Sequence, residues 1–386
     1  MDQHHDATAE QADFITRRVW SHVIKYKGIA ARQFFILTFG LTIGTSILVT
    51  PSGLAHTARE DAWIASLCSL LINILMVVLY IAIARLYPGK TIFQMNELVL
   101  GKILGKAMSL IYLFYFLILT GTLLGNLGFF ITSEMMPETP IEAIQILFLI
   151  AAIMCARMGI IILARVGELM FPWIVFLFMV LLLSLIPQID WNHIKPILED
   201  GWIPVANAGF HSSMFQELIV LMVFLPLVKG ERKGEKALLW GAVAGGIVLS
   251  VTVLLSVLIL GIEQTENSTF PAFALAKTIN VGNFFQRVEG ILITLWVLTF
   301  FIKISLLFLS MLHGIKTVFR LKEQNHLIYP FSVLFIIVAW NTYINTVYVA
   351  NIIQQVWASY AFLHLLVIPF GLYLIGLSRT KILKSK

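Results

Sequence analysis

Near the start of the chain, residues 39–51 read FGLTIGTSILVTP. Gly40 and Gly44 lie four residues apart, and Thr45 and Ser46 follow them in the middle of an apolar run. One interpretation is a small-residue face on which a neighbouring membrane helix packs. The other is a helix broken inside the membrane, whose freed N–H and C=O groups face a cavity and bind a solute. Both interpretations require that this run crosses a bilayer.

The composition of the whole chain indicates a membrane protein. Of its 386 residues, 59% are hydrophobic and 12% are charged, whereas a soluble domain carries roughly 25% charged residues. The mean hydropathy is +0.89. A water-soluble core cannot bury so much apolar surface, and we therefore expect a polytopic protein whose solvent is the lipid bilayer.

The apolar runs predict an all-α membrane protein of about ten transmembrane helices, since a crossing takes about 20 apolar residues. We expect a cytoplasmic tail at residues 1–28, a transmembrane domain at 29–377 and a basic cytoplasmic tail at 378–386. The predicted spans are residues 30–51, 62–86, 107–131, 141–157, 167–187, 205–228, 237–261, 284–312, 327–345 and 352–377.

The distribution of basic residues supports this map. With the N-terminus in the cytoplasm, most of the 27 Lys and Arg residues fall on cytoplasmic connections, as the positive-inside rule requires. The outer side holds Arg59, Lys195, Lys277 and Arg287, and Lys303 lies alone inside a span. The net charge of +6 is thus explained by topology, and no nucleic-acid partner is predicted.

A second break is predicted in the sixth span, where residues 207–217 read NAGFHSSMFQE. His211 alone is typical of an ordinary packing histidine. Glu217, however, lies near the middle of the span, where a bare carboxylate is costly and normally faces a partner or water. The whole cluster of small and polar residues therefore favours a functional site.

The first and sixth spans correspond if the ten helices form two five-helix halves of opposite direction. Matched broken helices in the two halves indicate a central binding site. The pattern resembles the LeuT-like 5+5 inverted repeat of the amino acid–polyamine–organocation superfamily, with broken first and sixth helices. The predicted ligand-binding residues are Gly44, Thr45 and Ser46 in the first span, Gly209, Phe210, His211, Ser212 and Glu217 in the sixth, and Thr299 and Lys303 in the eighth.

Lys303 is predicted to lie in the inner half of the membrane, and three interpretations stay open. Its side chain snorkels to the inner headgroups; it pairs with Glu217 or with carbonyls freed by the first-span break; or its ammonium stands where sodium-coupled relatives hold a cation. In the third span, Tyr112 and Tyr115 lie near the inner end, where an aromatic belt is the simplest interpretation.

Several segments are similar to the B-subunit family of spore germination proteins. The resemblance extends over about residues 29–377. The segments are Ile43–Pro51, Pro88–Thr91, Phe171–Pro172, Gln216–Glu217 leading to Phe224–Pro226, Phe270–Pro271, and Phe285–Glu289 before Trp296 and Phe300–Lys303. Two residues depart from the pattern, because many permeases have Gly at the position of Ser46 and family members often have Gly at that of Gln216.

The resemblance implies the permease-like subunit of a nutrient germinant receptor in the spore inner membrane. Such a subunit acts with a larger membrane A-subunit and a lipoprotein C-subunit, recognises an amino acid or nucleoside, and helps to trigger germination. Two other hypotheses stay open: an amino acid transporter, and a scaffold subunit with a vestigial cavity. No enzyme, cofactor or metal site is predicted, because the sequence shows no nucleophile–base pair, metal-ligand spacing or P-loop.

If the ligand is an amino acid, its carboxylate would bind at the N–H groups that follow Gly44, because the N-termini of half-helices attract anions. Glu217 or the carbonyls of the sixth span would take the ammonium group, and Phe210 would close the cavity from outside. A nucleoside would instead use aromatic stacking. The sequence leaves the choice between these ligands open.

Overall fold

The computed structural model describes residues 28–279, 289–342 and 354–384, and helices account for most of them. Every predicted span is found as a helix or a broken helix. In chain order the helices are Ala31–Ile43 with Ser46–Ala58 (first span), Ala62–Leu86 (second), Lys102–Glu134 (third), Ile141–Met158 (fourth), Ile160–Leu185 (fifth), Trp202–Ser213 (sixth), Glu231–Asn267 (seventh), Glu289–Phe319 (eighth), Ile328–Thr342 (ninth), and Gln354–Phe362 with Ile368–Lys384 (tenth).

Seven helices in the described part of the chain are long and apolar enough to cross a membrane. The first and sixth spans fall short of that length because each is broken, and the described part of the ninth ends at Thr342. Residues 1–27 of the predicted tail lie outside the described residues. So do residues 284–288, 343–345 and 352–353 of the predicted spans.

The first span breaks at Gly44, as predicted. Its backbone there has φ 22° and ψ −121°, a conformation that a residue with a Cβ rarely adopts. One helix therefore ends at Ile43, and a second begins at Ser46. The break leaves the polar backbone groups of two helix ends in the middle of the molecule.

The sixth span breaks after Ser213, also as predicted. Glu217 takes a left-handed conformation, with φ 44° and ψ 39°, and a 3₁₀ helix follows over Leu218–Val223. A second 3₁₀ turn, Leu225–Leu227, carries a proline that cannot continue a regular helix. The change of helix type frees the carbonyl of Phe215 from a regular i→i+4 ladder.

Small residues bring the seventh and eighth spans close to the first. A Cβ on Gly245 of the seventh span would lie 2.6 Å from the Cβ of Thr42, and a Cβ on Gly40 would lie 2.9 Å from Cδ1 of Ile302 in the eighth span. Such close approach is typical of helix packing in membranes. The packing interpretation of Gly40 is therefore correct as well, and it holds together with the break at Gly44.

At the N-terminal face of the molecule, defined by Ile29 and Val228, backbone and side-chain contacts join the first span to its neighbours. Ile29 forms a parallel bridge with Val228, and its N–H donates to the Leu227 carbonyl at 2.9 Å. Nearby, the Gln33 amide donates to the Glu168 carboxylate at 3.0 Å. These contacts tie the first span to the end of the sixth and to the fifth.

The opposite face carries the two long connections. The connection before the sixth span contains a 3₁₀ turn over Trp191–Ile194, and the one after the seventh contains the helix Pro271–Lys277. The Asp61 carboxylate accepts the Leu198 N–H at 2.9 Å. The Lys277 ammonium donates to Glu134 at 2.9 Å and thereby holds the short helix to the third span.

Candidate functional site

A buried ion pair lies between the breaks of the first and sixth spans. The Glu217 carboxylate is 2.7 Å from the Lys303 ammonium, and the two side chains are 2% and 1% exposed. The same ammonium donates to the Phe215 carbonyl at 3.2 Å. Charges are retained in so apolar a setting only when they are paired and hydrogen-bonded, so the two side chains depend on each other.

Gly44 provides the space that Lys303 needs to reach this position. A Cβ on Gly44 would lie 2.4 Å from Cδ of Lys303. The break therefore does two things at once, because it turns the backbone and lets the lysine stem pass against it. Glycine is the residue that satisfies both requirements.

Glu217 also faces a cavity of about 110 Å³ in the middle of the bundle. Five parts of the chain contribute to its wall. They are Thr45, Ser46, Val49 and Thr50 of the first span; Leu119, Thr122, Leu123, Asn126 and Phe129 of the third; Ser212, Phe215 and Glu217 of the sixth; Thr269 and Phe270 of the loop after the seventh; and Trp357 of the tenth.

Three hydroxyl groups on this wall lack a hydrogen-bond partner among the described residues. They are Oγ1 of Thr45, Oγ1 of Thr122 and Oγ of Ser212, and each side chain is at least nine-tenths buried. Buried polar groups are almost always satisfied in native proteins, and those that are not call for a physical reason. A polar ligand in the cavity would be such a reason.

Most of the remaining wall is apolar. Phe270 packs edge-on against Phe130, with ring centroids 4.8 Å apart, and Trp357 stacks on Tyr115 at 5.9 Å. A few converging polar groups in an otherwise apolar cavity are the usual pattern of a small-molecule site. The arrangement suits a ligand with one cationic group, other polar groups and an apolar remainder.

Four of the ten predicted site residues line the cavity, namely Thr45, Ser46, Ser212 and Glu217. Ser46 contributes further by donating from its Oγ to the Phe215 carbonyl at 3.0 Å. Phe215 thus accepts from both the first and the eighth span, and it links their positions to the break in the sixth.

Two further predicted residues, Gly44 and Lys303, lie behind the cavity wall and act on it through Glu217. The structure answers part of the question about Lys303. Its side chain is fully buried, so the snorkelling interpretation is wrong, and the pairing with Glu217 is correct. The carbonyl it binds is Phe215, in the break of the sixth span and not of the first.

Four predicted residues take positions away from the cavity. Gly209 packs against the second span, where a Cβ would lie 2.8 Å from the Ala65 carbonyl oxygen. Phe210 packs on Phe362 with ring centroids 5.3 Å apart, and His211 is exposed. Thr299 donates to the Trp296 carbonyl of its own helix at 2.9 Å. Gly209 and Phe210 thus make packing contacts, and Thr299 bonds within its own helix. Phe270, and not Phe210, belongs to the cavity wall.

Sequence reasoning missed the contribution of the third span. Leu119, Thr122, Asn126 and Phe129 recur at intervals of three and four residues, which places them on one face of a helix. Two polar residues at that spacing in an apolar helix were a usable signal. Trp357 of the tenth span had no comparable signal, because a tryptophan is common near the end of a membrane helix.

The tyrosines of the third span do not form an aromatic belt. Tyr112 and Tyr115 are fully buried, and Tyr112 donates from its hydroxyl to the His364 carbonyl at 3.1 Å. Tyr80 of the second span donates likewise to the Leu365 carbonyl at 2.6 Å. Both acceptors lie in the π-helical turn Leu363–Val367, whose freed carbonyls need such partners.

Comparison with known sequences places the chain among proteins of spore germination. The family model described as spore germination protein matches residues 28–347. Spore germination protein KB of Bacillus subtilis (strain 168) is 28% identical over 307 residues, which cover 78% of this chain and 82% of that protein. Spore germination protein B2 of the same organism is 25% identical over 355 residues, covering 91% and 95%.

Comparison with solved structures confirms the LeuT-like fold. MhsT in complex with L-phenylalanine superposes with a TM-score of 0.66 at 14% identity, covering 91% of this chain and 89% of that one. Mhp1, a nucleobase-cation-symport-1 family transporter in a closed conformation with bromovinylhydantoin bound, superposes with a TM-score of 0.63 at 13% identity, covering 90% and 82%. At such identities the likeness concerns the fold alone.

Proposed function

Since this chain belongs to the spore germination protein family, we propose that it binds a small germinant in the cavity between its broken helices, as the permease-like subunit of a nutrient germinant receptor. The observation that carries the proposal is the cavity wall, which holds Glu217 and three hydroxyls without a hydrogen-bond partner in the described part of the chain. The fold is that of transporters, and the family is that of germination proteins. Catalysis has no part in the proposal.

The size of the cavity favours an amino acid over a nucleoside. The cavity volume of about 110 Å³ leaves room for several water-sized groups. A small apolar amino acid suits such a space. A nucleoside, which joins a base to a ribose, is larger and would require the wall to move.

The polar groups suggest how an amino acid would lie. Glu217 is the acidic residue on the wall, and it would accept the α-ammonium group. The helix Ser46–Ala58 begins beside Thr45, and its N-terminus favours the carboxylate. Thr122 and Ser212 would complete the hydrogen bonds, and the ligand's side chain would lie against Leu119, Leu123, Phe129, Phe270 and Trp357.

The binding proposal is tested with the purified full-length chain and a panel of L-amino acids and nucleosides in calorimetry. We expect a small apolar L-amino acid to bind and nucleosides not to bind. Ser212→Ala should weaken binding by roughly fivefold, the equivalent of one hydrogen bond. Ser250→Ala is the matched control, because Ser250 is also buried, its hydroxyl has no partner within the described ranges, and it does not line the cavity. Nucleoside binding, or equal effects of both changes, would contradict the proposal.

We also propose that the chain senses its ligand and does not carry it, working with a membrane A-subunit and a lipoprotein C-subunit. The support is the family of its relatives, which are named for germination. A transporter is the alternative, and it shares the fold. Uptake into proteoliposomes separates the two: saturable transport by this chain alone would contradict the sensing role, and loss of the response to one nutrient on deletion would support it.

The proposed location is the spore inner membrane, with the N-terminal face toward the cytoplasm. Basic side chains concentrate on the connections at that face, as the positive-inside rule expects. The cavity lies nearer the opposite face, where Thr50, Thr269 and Phe270 belong to its wall. A ligand would therefore enter from outside. Thiol labelling of single cysteines placed at residues 59 and 232 would test the orientation.

A further inference from the structure

We propose that the Lys303 ammonium is a built-in substitute for a bound monovalent cation, so that the site between the first, sixth and eighth spans is complete without sodium or potassium. In discontinuous membrane helices, unwound backbone carbonyls coordinate Na⁺ or a proton near the middle of the bilayer. Here the same kind of position is taken by a side chain of the chain itself.

The oxygens around the ammonium are those that an alkali cation would use. The Glu217 carboxylate lies 2.7 Å from Nζ, and the Phe215 carbonyl, freed by the break in the sixth span, lies at 3.2 Å. Carboxylate and backbone carbonyl oxygens are the preferred ligands of hard cations. Lys303 brings one positive charge to both, and it does so from a third helix.

The space around the charge is also filled. Cδ of Lys303 lies where a Cβ on Gly44 would be only 2.4 Å away, and Lys303 and Gly44 are both buried. An added cation would therefore have to displace the ammonium. The lysine stem occupies the route along which such an ion would contact the break in the first span.

The charges of the buried side chains also argue against an additional bound cation. Among the described residues, the buried Lys, Arg, Asp and Glu side chains are Asp61, Glu217 and Lys303, and Asp61 is bound at the opposite face by the Leu198 N–H. An alkali cation beside Lys303, which unlike an amino acid brings no carboxylate of its own, would place two positive charges against one carboxylate in a medium of low dielectric constant, which is unfavourable.

The inference about the cation concerns the same cavity wall as the proposed function, because Glu217 faces both Lys303 and the ligand space. If an amino acid binds there, its affinity should be the same in sodium, potassium and choline salts. The test below uses the cations themselves as probes and needs no ligand, so its outcome is separate from that of the ligand-binding experiment.

The full-length protein in lipid nanodiscs is unfolded thermally in choline, lithium, sodium or potassium chloride at one ionic strength. We expect the wild-type midpoint to be the same in all four salts. Lys303→Ser should be destabilised in choline and regain several degrees in a saturable manner with sodium or lithium, because Glu217 and Phe215 then bind the ion. Adding Glu217→Gln to Lys303→Ser should abolish that response.

Lys277→Ser is the matched control. It breaks another Lys–Glu pair of similar length, 2.9 Å to Glu134, at the surface, and it should show no cation-specific shift. The inference is overturned if wild-type protein is stabilised by sodium or potassium over choline, or if Lys303→Ser shows the same midpoint in all four salts. If Lys303→Ser does not fold, the wild-type protein alone gives the answer. Equal midpoints in the four salts support a site without a bound cation, and a higher midpoint in sodium or potassium contradicts it.

Discussion

Glu217 and Lys303 form an ion pair at 2.7 Å where three helices meet, and Glu217 alone of the two also faces the central cavity. The carboxylate thus lies between a fixed ammonium on one side and open space on the other. A ligand ammonium in that space would share the carboxylate with Lys303. Binding would then alter the contact that holds the eighth span to the breaks in the sixth and the first.

Removing the lysine alone should destabilise the protein strongly. In Lys303→Met the Glu217 carboxylate stays buried without its partner, which typically costs about 3–5 kcal/mol. Lys303→Met combined with Glu217→Gln should recover much of that loss, since no buried charge remains. Thermal unfolding of the three proteins in detergent measures the effect. Equal stability of wild type and Lys303→Met would show that the pair does not have the structural role assigned to it.

Gly44→Ala should disturb the site in two ways, by straining the backbone and by crowding the Lys303 side chain. The new Cβ requires a φ of 22° and approaches the Lys303 stem to 2.4 Å, so we expect a loss of about 2 kcal/mol in unfolding free energy and a higher germinant concentration for half-maximal germination. Gly53→Ala is the control, because nothing lies within 4 Å of its added Cβ and alanine favours the helix. Similar effects of both changes would contradict the special role of Gly44.

Thr122→Val should weaken ligand binding without loss of stability. The Thr122 hydroxyl lines the cavity and has no partner among the described residues, so its removal should cost about 1 kcal/mol of binding, or roughly fivefold in affinity. Thr120→Val is the matched control, because that hydroxyl donates to the Phe116 carbonyl within its own helix at 2.6 Å. Calorimetry measures the ligand affinity of both variants. Unchanged affinity in Thr122→Val would show that the Thr122 hydroxyl of the third span does not bind the ligand.

Leu123→Ala should widen the range of accepted ligands. Leu123 belongs to the cavity wall, whereas the adjacent Leu124 is buried elsewhere in the core. We expect Leu123→Ala to admit amino acids with larger apolar side chains, because the space it opens joins the cavity. Leu124→Ala should cost about 2–5 kcal/mol of stability and leave the ligand preference unchanged. A binding panel from alanine to phenylalanine compares the two, and an identical preference would place the ligand's side chain elsewhere.

The sequence predicts this fold well because the signals of membrane helices are local. Apolar length and the position of basic residues define the spans, and Gly44 and Glu217 mark the two breaks at which regular backbone stops. The site is less predictable, since it depends on contacts between distant parts of the chain. Lys303 reaches Glu217 only because the eighth span crosses the breaks at that depth.

Aromatic residues show the same dependence on contacts between distant parts of the chain. Phe210 lies in the outer half of the sixth span and Phe270 lies in the loop after the seventh, and only packing decides that Phe270 reaches the cavity while Phe210 lies on Phe362. Likewise, a tyrosine at the end of a span suits an aromatic belt, yet Tyr112 turns inward to a π-helical carbonyl. Helix rotation, which a single sequence does not give, separates these outcomes.

The N-terminal face offers a test of how binding becomes a signal. There the Gln33 amide bonds to Glu168 at 3.0 Å, and Ile29 is paired with Val228. A ligand shifts an equilibrium only if it has different affinities for the two states. If the second state opens this face, linking the first span to the fifth should leave binding intact and block the response.

Cysteines at residues 33 and 168, joined by a short bifunctional thiol reagent in a background in which Cys68 and Cys155 are alanine, make that link. We expect the cross-linked protein to bind its ligand with unchanged affinity. Spores that carry it should lose germination after treatment, whereas each single-cysteine variant, treated in the same way, should respond normally. Because the contacts here lie on the far side of the breaks from the cavity, a loss of response without a loss of binding would have to arise from blocked movement. Normal germination of cross-linked spores would mean that this face stays closed while the receptor signals.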